Sequence, residues 1–155
     1  MTLTIQKATI AHLENLHKIE QQCFTLEAFS KSQIAWLLKS PTSVSLLAKS
    51  DDEIVGFIIG LIYDDEGKRV GHVFTIDVTP AHRRKGVGEK MLEAMEKEFV
   101  DLGVEVSFLE VRVDNEAAKQ LYKKQGYEEV EVLKDFYYRG GHGVRLKKNL
   151  LLKSP

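Results

Sequence analysis

Val73-Phe-Thr-Ile-Asp-Val-Thr79 runs directly into Pro80-Ala-His-Arg-Arg-Lys-Gly-Val-Gly88, and then into Met91, Leu92, Met95 and Phe99. The first segment is rich in β-branched and aromatic residues and reads as a strand. The last four apolar residues keep helical spacing and mark one face of a long amphipathic helix. Between them Pro80 closes the strand, and Gly86 and Gly88 stand where the helix opens. A helix N-terminus exposes unpaired N–H groups and partial positive charge. Glycine lets the backbone approach an anion with no Cβ in the way. With Arg83, Arg84 and Lys85 immediately before the glycines, the junction has the composition of a pyrophosphate cradle. It is not a Walker A loop, because Gly88 is followed by Glu89-Lys90-Met91. It is not the dinucleotide fingerprint, because the third glycine's place is taken by Met91. Glycines and charges alone fit a solvated basic turn equally well.

Outward from this junction the pattern alternates strands and helices. Upstream, Leu3–Lys7 is a short strand. Leu13, Leu16 and Ile19 predict a helix from about Ala11 to Gln22, and Phe24 to Ser30 is a loop. Ser30 caps a second helix that carries Ile34, Leu37 and Leu38. Val44–Lys49 and Glu53–Tyr63 are strands around an Asp51-Asp52 turn, and Asp64-Asp-Glu-Gly-Lys68 is a second turn. The strand quoted above spans Gly71 to Thr79, and the long helix closes near Gly103. Downstream, Glu105–Val113 is a strand. Asp114 or Asn115 caps a helix with Ala117, Ala118, Leu121 and Tyr122, closed by Gly126. Tyr127–Leu133 and Val144–Leu150 are the final strands, and Leu151 to Pro155 fray. The sum is a mixed α/β sheet with helices packed on it.

The chain has 155 residues, 43% hydrophobic and 29% charged, with a net charge of -1. That is the size of a single domain, 1–155, with enough length for a core of its own. The near-neutral charge gives no support for nucleic-acid binding, which needs a large positive excess. One cysteine, Cys23, excludes an internal disulfide and any zinc site built on two or more cysteines. It fits a reducing compartment. No run approaches the roughly 20 apolar residues that span a bilayer, and the N-terminus lacks a signal pattern, so a cytoplasmic protein without membrane association is expected.

Three blocks carry a family resemblance. Arg83-x-x-Gly86-x-Gly88, after a strand and opening a helix, resembles the acetyl-coenzyme A motif of the GNAT acetyltransferase superfamily. Leu109-Glu-Val-Arg-Val-Asp-Asn-Glu-Ala-Ala-Lys-Gln-Leu-Tyr-Lys-Lys-Gln-Gly-Tyr127 is similar to the strand–helix half found in RimI-like N-terminal protein acetyltransferases. Tyr137-Tyr138-Arg139 with Leu146-Lys-Lys-Asn-Leu150 is similar to that subgroup's closing hairpin. Together they span about Gly71 to Leu150. The resemblance implies a GNAT-type mixed, mostly antiparallel sheet of six or seven strands with about four helices. Two central parallel strands would splay apart. Main-chain groups of Ile76 and Val78 would then bind the pantetheine arm of acetyl-coenzyme A. Arg83, Arg84, Lys85, Gly86, Val87 and Gly88 would hold the pyrophosphate, with Asn115 a further cofactor contact.

The implied activity is acetyl transfer to the N-terminal α-amine of a protein or peptide, by direct attack in a ternary complex. Ribosomal proteins are among the implied partners; the oligomeric state is left open. Glu110 matches the general base and Tyr122 the general acid, with His72 a secondary candidate for proton removal and Tyr122 also against the cofactor. Glu27, Tyr137 and Tyr138 match substrate-gripping positions. Each has a plainer alternative. Strand parity puts Phe108, Glu110 and Arg112 on one face, so Glu110 and Arg112 could be a solvated ion pair. Tyr122 forms an i, i+4 apolar pair with Ala118. His72 could be structural. Tyr137 and Tyr138 alternate, so at most one faces the substrate. Two departures are visible. Thr25-Leu-Glu-Ala-Phe29 replaces a frequent Pro-Trp pattern, and Gly140-Gly-His142-Gly143 stands where the subgroup often has an acid. Cys23 as a covalent acyl carrier lacks an activating base in its sequence neighbourhood. Two rival functions remain at this point: the same chemistry on lysines, polyamines or another small amine, and a coenzyme A-binding module without turnover.

Overall fold

The computed structural model describes residues 2–151, so the expected fraying beyond Leu151 lies outside the described residues. The elements are β1 (Leu3–Lys7), α1 (Leu13–Cys23), α2 (Lys31–Lys39), β2 (Ser43–Ser50), β3 (Glu53–Asp65), β4 (Lys68–Val78), α3 (Val87–Asp101), β5 (Val106–Arg112), α4 (Glu116–Lys124), β6 (Glu128–Tyr138) and β7 (Gly141–Asn149). Single 3₁₀ turns at Ile10–His12 and Pro80–His82 lead into α1 and into the glycine junction. The caps follow the side chains. Ser30 accepts from the Gln33 N–H, and Gln33 reaches back to the Ser30 N–H, a full capping box. At α4 the open choice resolves to Asn115, whose side chain accepts from the Ala118 N–H.

The seven strands form one sheet in the order β1-β2-β3-β4-β5-β7-β6. All neighbours are antiparallel except β4 and β5. Helices cover both faces. Alternate residues of β2 and β3 feed two cores: Val44, Leu46, Ala48 and Ile58 meet Met91, Leu92, Met95 and Phe99 of α3. Leu47, Phe57 and Ile59 meet Leu16, Ile19, Ile34 and Leu37 of α1 and α2. Each fully buried aliphatic or aromatic side chain here contributes roughly 1.5–3 kcal/mol.

Three strand boundaries differ from the sequence expectation by three residues or more. β4 starts at Lys68, three residues before Gly71, because the Glu66-Gly67 turn lets it pair with β3 from its first residue. The last two strands run to Tyr138 and from Gly141, rather than ending at Leu133 and starting at Val144. Glycine explains this. A Cβ on Gly141 would lie 2.7 Å from the Tyr138 ring, and one on Gly143 would lie 3.2 Å from the Tyr137 ring. Bare backbone there lets the two tyrosines cross the hairpin.

The feature that positions the site is an early parting of strands. β4 and β5 pair only from Val70↔Val106 to Val73↔Leu109. Beyond that point Phe74–Val78 and Glu110–Arg112 diverge, leaving a gap in the sheet with α3 and α4 behind it.

Candidate active site

The edge of β4 facing the gap is unpaired. Thr79 N–H bonds to the Val55 carbonyl at 2.9 Å, on the β3 side. Antiparallel alternation therefore turns the main-chain groups of Ile76 and Val78 the other way, into the gap. The Val78 carbonyl already accepts from Arg83 Nε at 3.1 Å and Cys23 Sγ at 3.3 Å. Its N–H, and both groups of Ile76, remain for an added strand-like ligand.

At the head of α3, Gly86 is the N-cap with φ of 81°, left-handed, and no side chain caps the helix. Arg84 is also left-handed at φ of 62°. Among the described residues, no group accepts a hydrogen bond from the N–H of Gly86, Val87 or Gly88. A Cβ on Gly86 would meet nothing within 4 Å. The junction is thus an open set of N–H donors at the positive end of a 15-residue helix. Arg83, Arg84 and Lys85 are exposed beside it. Gly88 has a different reason to be glycine. Its Cβ would point at Leu121 (3.3 Å) and Val78 (3.7 Å), so it sets the close packing of α3 on α4 and β4. An anion followed by an extended amide-bearing arm fits these residues.

The gap opens into a cavity of about 630 Å³. His72, Phe74, Ile76, Glu110, Asn115 and Tyr122 are on its walls. On the far side stand Glu27 and Phe29 of the α1–α2 loop, and Phe136 and Tyr137 of the hairpin. Glu110 Oε1 lies 2.5 Å from His72 Nε2, and Glu110 Oε2 accepts from Arg145 Nε at 3.0 Å. Arg145 is the direct cross-strand neighbour of Glu110. The Glu110–Arg112 pair allowed by strand parity does not form. Arg112 instead bonds Asp114 at 3.0 Å, lies 3.6 Å from Glu27 and donates to the Tyr138 hydroxyl.

The family model described as Acetyltransferase (GNAT) family matches residues 13–127. The chain belongs to the GNAT acetyltransferase family. An N-alpha-acetyltransferase of Sulfurisphaera tokodaii is 36% identical over 112 residues, covering 66% of this chain and 67% of that one. The crystal structure of the ribosomal-protein-S18-alanine N-acetyltransferase from Escherichia coli superimposes with a TM-score of 0.87, at 23% identity, over 99% of this chain and 97% of that one. Arabidopsis thaliana NAA60 in complex with acetyl-CoA superimposes with a TM-score of 0.84, at 20% identity, over 96% and 98%.

In this GNAT acetyltransferase the open amides of α3 and the free edge of β4 are the groups suited to hold an acyl donor with an anionic group and an extended arm. The site's titratable groups are tuned by their surroundings. Burial pushes the Glu110 carboxyl up, but hydrogen bonds and charge from His72 and Arg145 outweigh that and hold it below the usual carboxylate range. An ionised carboxylate only accepts, so the contact puts a proton on His72 Nε2. Tyr122 is 5% exposed. Burial raises its phenol, so it stays a neutral donor. No described residue hydrogen-bonds its hydroxyl. Asn115 spends its side-chain oxygen on the α4 cap (3.1 Å), which leaves its amide N–H groups for a ligand. Of the paired tyrosines, Tyr137 lines the cavity and Tyr138 packs against Arg112, as alternation requires. Glu27 is on the wall, held by Thr25 Oγ1 at 3.2 Å. Burial pushes the Cys23 thiol up to about 11, which is the opposite of an activated nucleophile.

Two features escaped the sequence. Arg145 carried no motif, and only the β5–β7 register brings it to Glu110. Glu20 and Asp77 are both 1% exposed, a buried acidic pair beside the cavity. Glu20 was detectable, since Leu16, Ile19, Glu20 and Cys23 share one helical face.

Proposed function

We propose that this enzyme transfers acetyl from acetyl-coenzyme A to the N-terminal α-amine of proteins or peptides, in one direct step within a ternary complex. The single observation that carries the proposal is the His72 Nε2–Glu110 Oε1 contact of 2.5 Å, on the wall of the cavity that opens where β4 and β5 part. Acetyl-coenzyme A, when bound, supplies an activated acyl group. Everything else falls to side chains of this chain.

An α-ammonium cannot attack a thioester, and α-amines titrate at roughly 8. His72 Nδ1 takes the amine proton, directly or through one water. Glu110 holds the imidazole in the required tautomer and stabilises the imidazolium that forms; Arg145 fixes Glu110 in turn. Glu110 serves less well as the base itself, because its partners depress its proton affinity. Tyr122 donates a hydrogen bond to the sulfur as negative charge develops there. Gly86, Val87 and Gly88, with Arg83, Arg84 and Lys85, hold the pyrophosphate; Ile76, Val78 and Asn115 hold the arm. Glu27 and Tyr137 line the acceptor side. Cys23 takes no part as an acyl carrier.

The names borne by the relatives support the α-amine over lysines, polyamines or other small amines. The Escherichia coli structure's name further supports acceptors among ribosomal proteins. A lone cysteine supports work in the cytoplasm. The chain works as one domain, 1–155.

The test is a library of peptides, each with a free α-amine and an internal lysine, incubated with enzyme and acetyl-coenzyme A. Tandem mass spectrometry locates the acetyl group. It is expected on the first residue. Acetyl confined to lysine, or to added polyamine, overturns the proposal.

A further inference from the structure

Three buried polar side chains have no part in the chemistry above, and two of them, Glu20 and Thr75, line the cavity. Glu20 of α1 and Asp77 of β4 are 1% exposed, and Thr75 of β4 is 6% exposed. Thr75 Oγ1 lies 2.9 Å from Glu20 Oε1 and 2.5 Å from Asp77 Oδ1. A hydroxyl carries one proton, and an ionised carboxylate can only accept. Thr75 therefore cannot donate to both acids. One carboxyl of the pair holds a proton. Burial, then the charge and hydrogen bond of Glu20, raise Asp77 well above the usual range. Glu20 and Asp77 share that proton, Thr75 sits between the two acids, and the three side chains form one buried hydrogen-bonded cluster.

The cluster reaches the loop of the acceptor wall. Glu20 Oε2 accepts the Phe29 N–H at 3.0 Å. Among the described residues this is the one main-chain hydrogen bond that ties loop residues 25–29 to another element; the Ala28 N–H turns back to Thr25 within the loop. Leu26, Glu27, Ala28 and Phe29 all line the cavity. At the other end, Thr75 and Asp77 alternate with Ile76 and Val78, whose main chain faces the donor gap.

We propose that Glu20, anchored through Thr75 to Asp77, is the positioning residue that registers the acceptor loop against the donor strand. This rests on the cavity being the amine site. A loosened loop weakens acceptor binding while leaving donor binding, and the chemistry of an acceptor once bound, unchanged.

The test uses the full chain with Glu20→Met, which fills the same volume without an acceptor, and Glu20→Gln, which keeps an oxygen for Phe29. The first readout is hydrogen exchange of the Phe29 amide by NMR, which needs no activity. Exchange is expected to speed up at least about tenfold in Glu20→Met, with core amides such as Ile58 unchanged, and to stay slow in Glu20→Gln. The second readout is steady-state kinetics on an N-terminal peptide. The peptide KM is expected to rise about tenfold in Glu20→Met, the loss of one charge-assisted hydrogen bond. kcat and the acetyl-coenzyme A KM stay within about twofold, and Glu20→Gln restores the peptide KM. Should Glu20→Met fail to fold, Thr75→Val removes the hydroxyl that holds Glu20 in the cluster and is expected to speed Phe29 exchange in the same way. Unchanged Phe29 exchange in the variant that folds, or a loss of kcat with the peptide KM unaltered, overturns the proposal. If the wild type acetylates no peptide, the proposed function fails on its own, and Phe29 exchange still decides this inference.

Discussion

Tyr122→Phe removes a hydroxyl that no described residue hydrogen-bonds, from a ring that is 5% exposed and packed edge-on against Tyr127 at 6.2 Å. Phenylalanine keeps the ring and its packing, so stability should change by less than about 1 kcal/mol. For a chain of this size that is a Tm shift under roughly 4 °C. The catalytic cost is different in kind. Phenols ordinarily titrate near 10 and thiols at roughly 8.5. Burial raises Tyr122 further, so complete proton transfer to the departing thiolate is uphill. The hydroxyl acts as a charge-assisted donor, worth about 1.5–3 kcal/mol. At about 1.36 kcal/mol per factor of ten, kcat should fall about 10- to 150-fold. The assay is steady-state thiol release at saturating peptide, with calorimetric coenzyme A affinity and thermal unfolding measured alongside. Affinity should hold within about twofold. A kcat within about threefold of wild type would refute the role; a Tm loss well beyond 4 °C would make Tyr122 structural instead.

His72→Ala and Glu110→Gln should each lower kcat/KM by about 10²- to 10⁴-fold, and the double variant should be no worse than the poorer single, because the two act as one unit. Additive losses in free energy would separate them. Glu110 sits below the ordinary value of 4.5 when folded, so its ion pairs contribute stability above that pH and lose it as pH falls through the folded value. Glu110→Gln should flatten the acid fall in urea midpoint below about pH 4.5, and an unaltered fall removes that contribution. Gly88→Val would drive a branched side chain into Leu121 and Val78, lifting α3 and costing at least about tenfold in coenzyme A affinity; retained affinity contradicts the cradle. Cys23, at about 11, should resist iodoacetamide at pH 8 and react as pH approaches 11. Rapid alkylation at pH 8 would show an activated thiol.

Nearly all of the fold was legible, since apolar spacing and caps at Ser30, Asn115 and Gly126 act locally. The glycine junction and its flanking strand and helix were legible for the same reason. What the sequence hid was cross-strand pairing. Glu110 and Arg112 share a face, yet the carboxylate finds His72, 38 residues upstream, and Arg145, 35 residues downstream. Register between β4, β5 and β7 decides that, and no local pattern encodes it. The hairpin was hidden differently. Asp135 takes φ of 54°, and Gly141 and Gly143 sit within a strand, so the segment scans as a loop. At Gly88 the expectation was close approach to an anion; the structure shows close approach to Leu121.

The central claim is that the head of α3 and the free edge of β4 together hold the acyl donor. The most direct measurement is an NMR titration of the ¹⁵N-labelled chain with acetyl-coenzyme A. Large shifts and slowed exchange are expected for the amides of Gly86, Val87, Gly88, Ile76 and Val78, with the outer strands β1 and β6 unmoved. Saturable binding that leaves those five amides unperturbed, or no binding at all, would contradict the account.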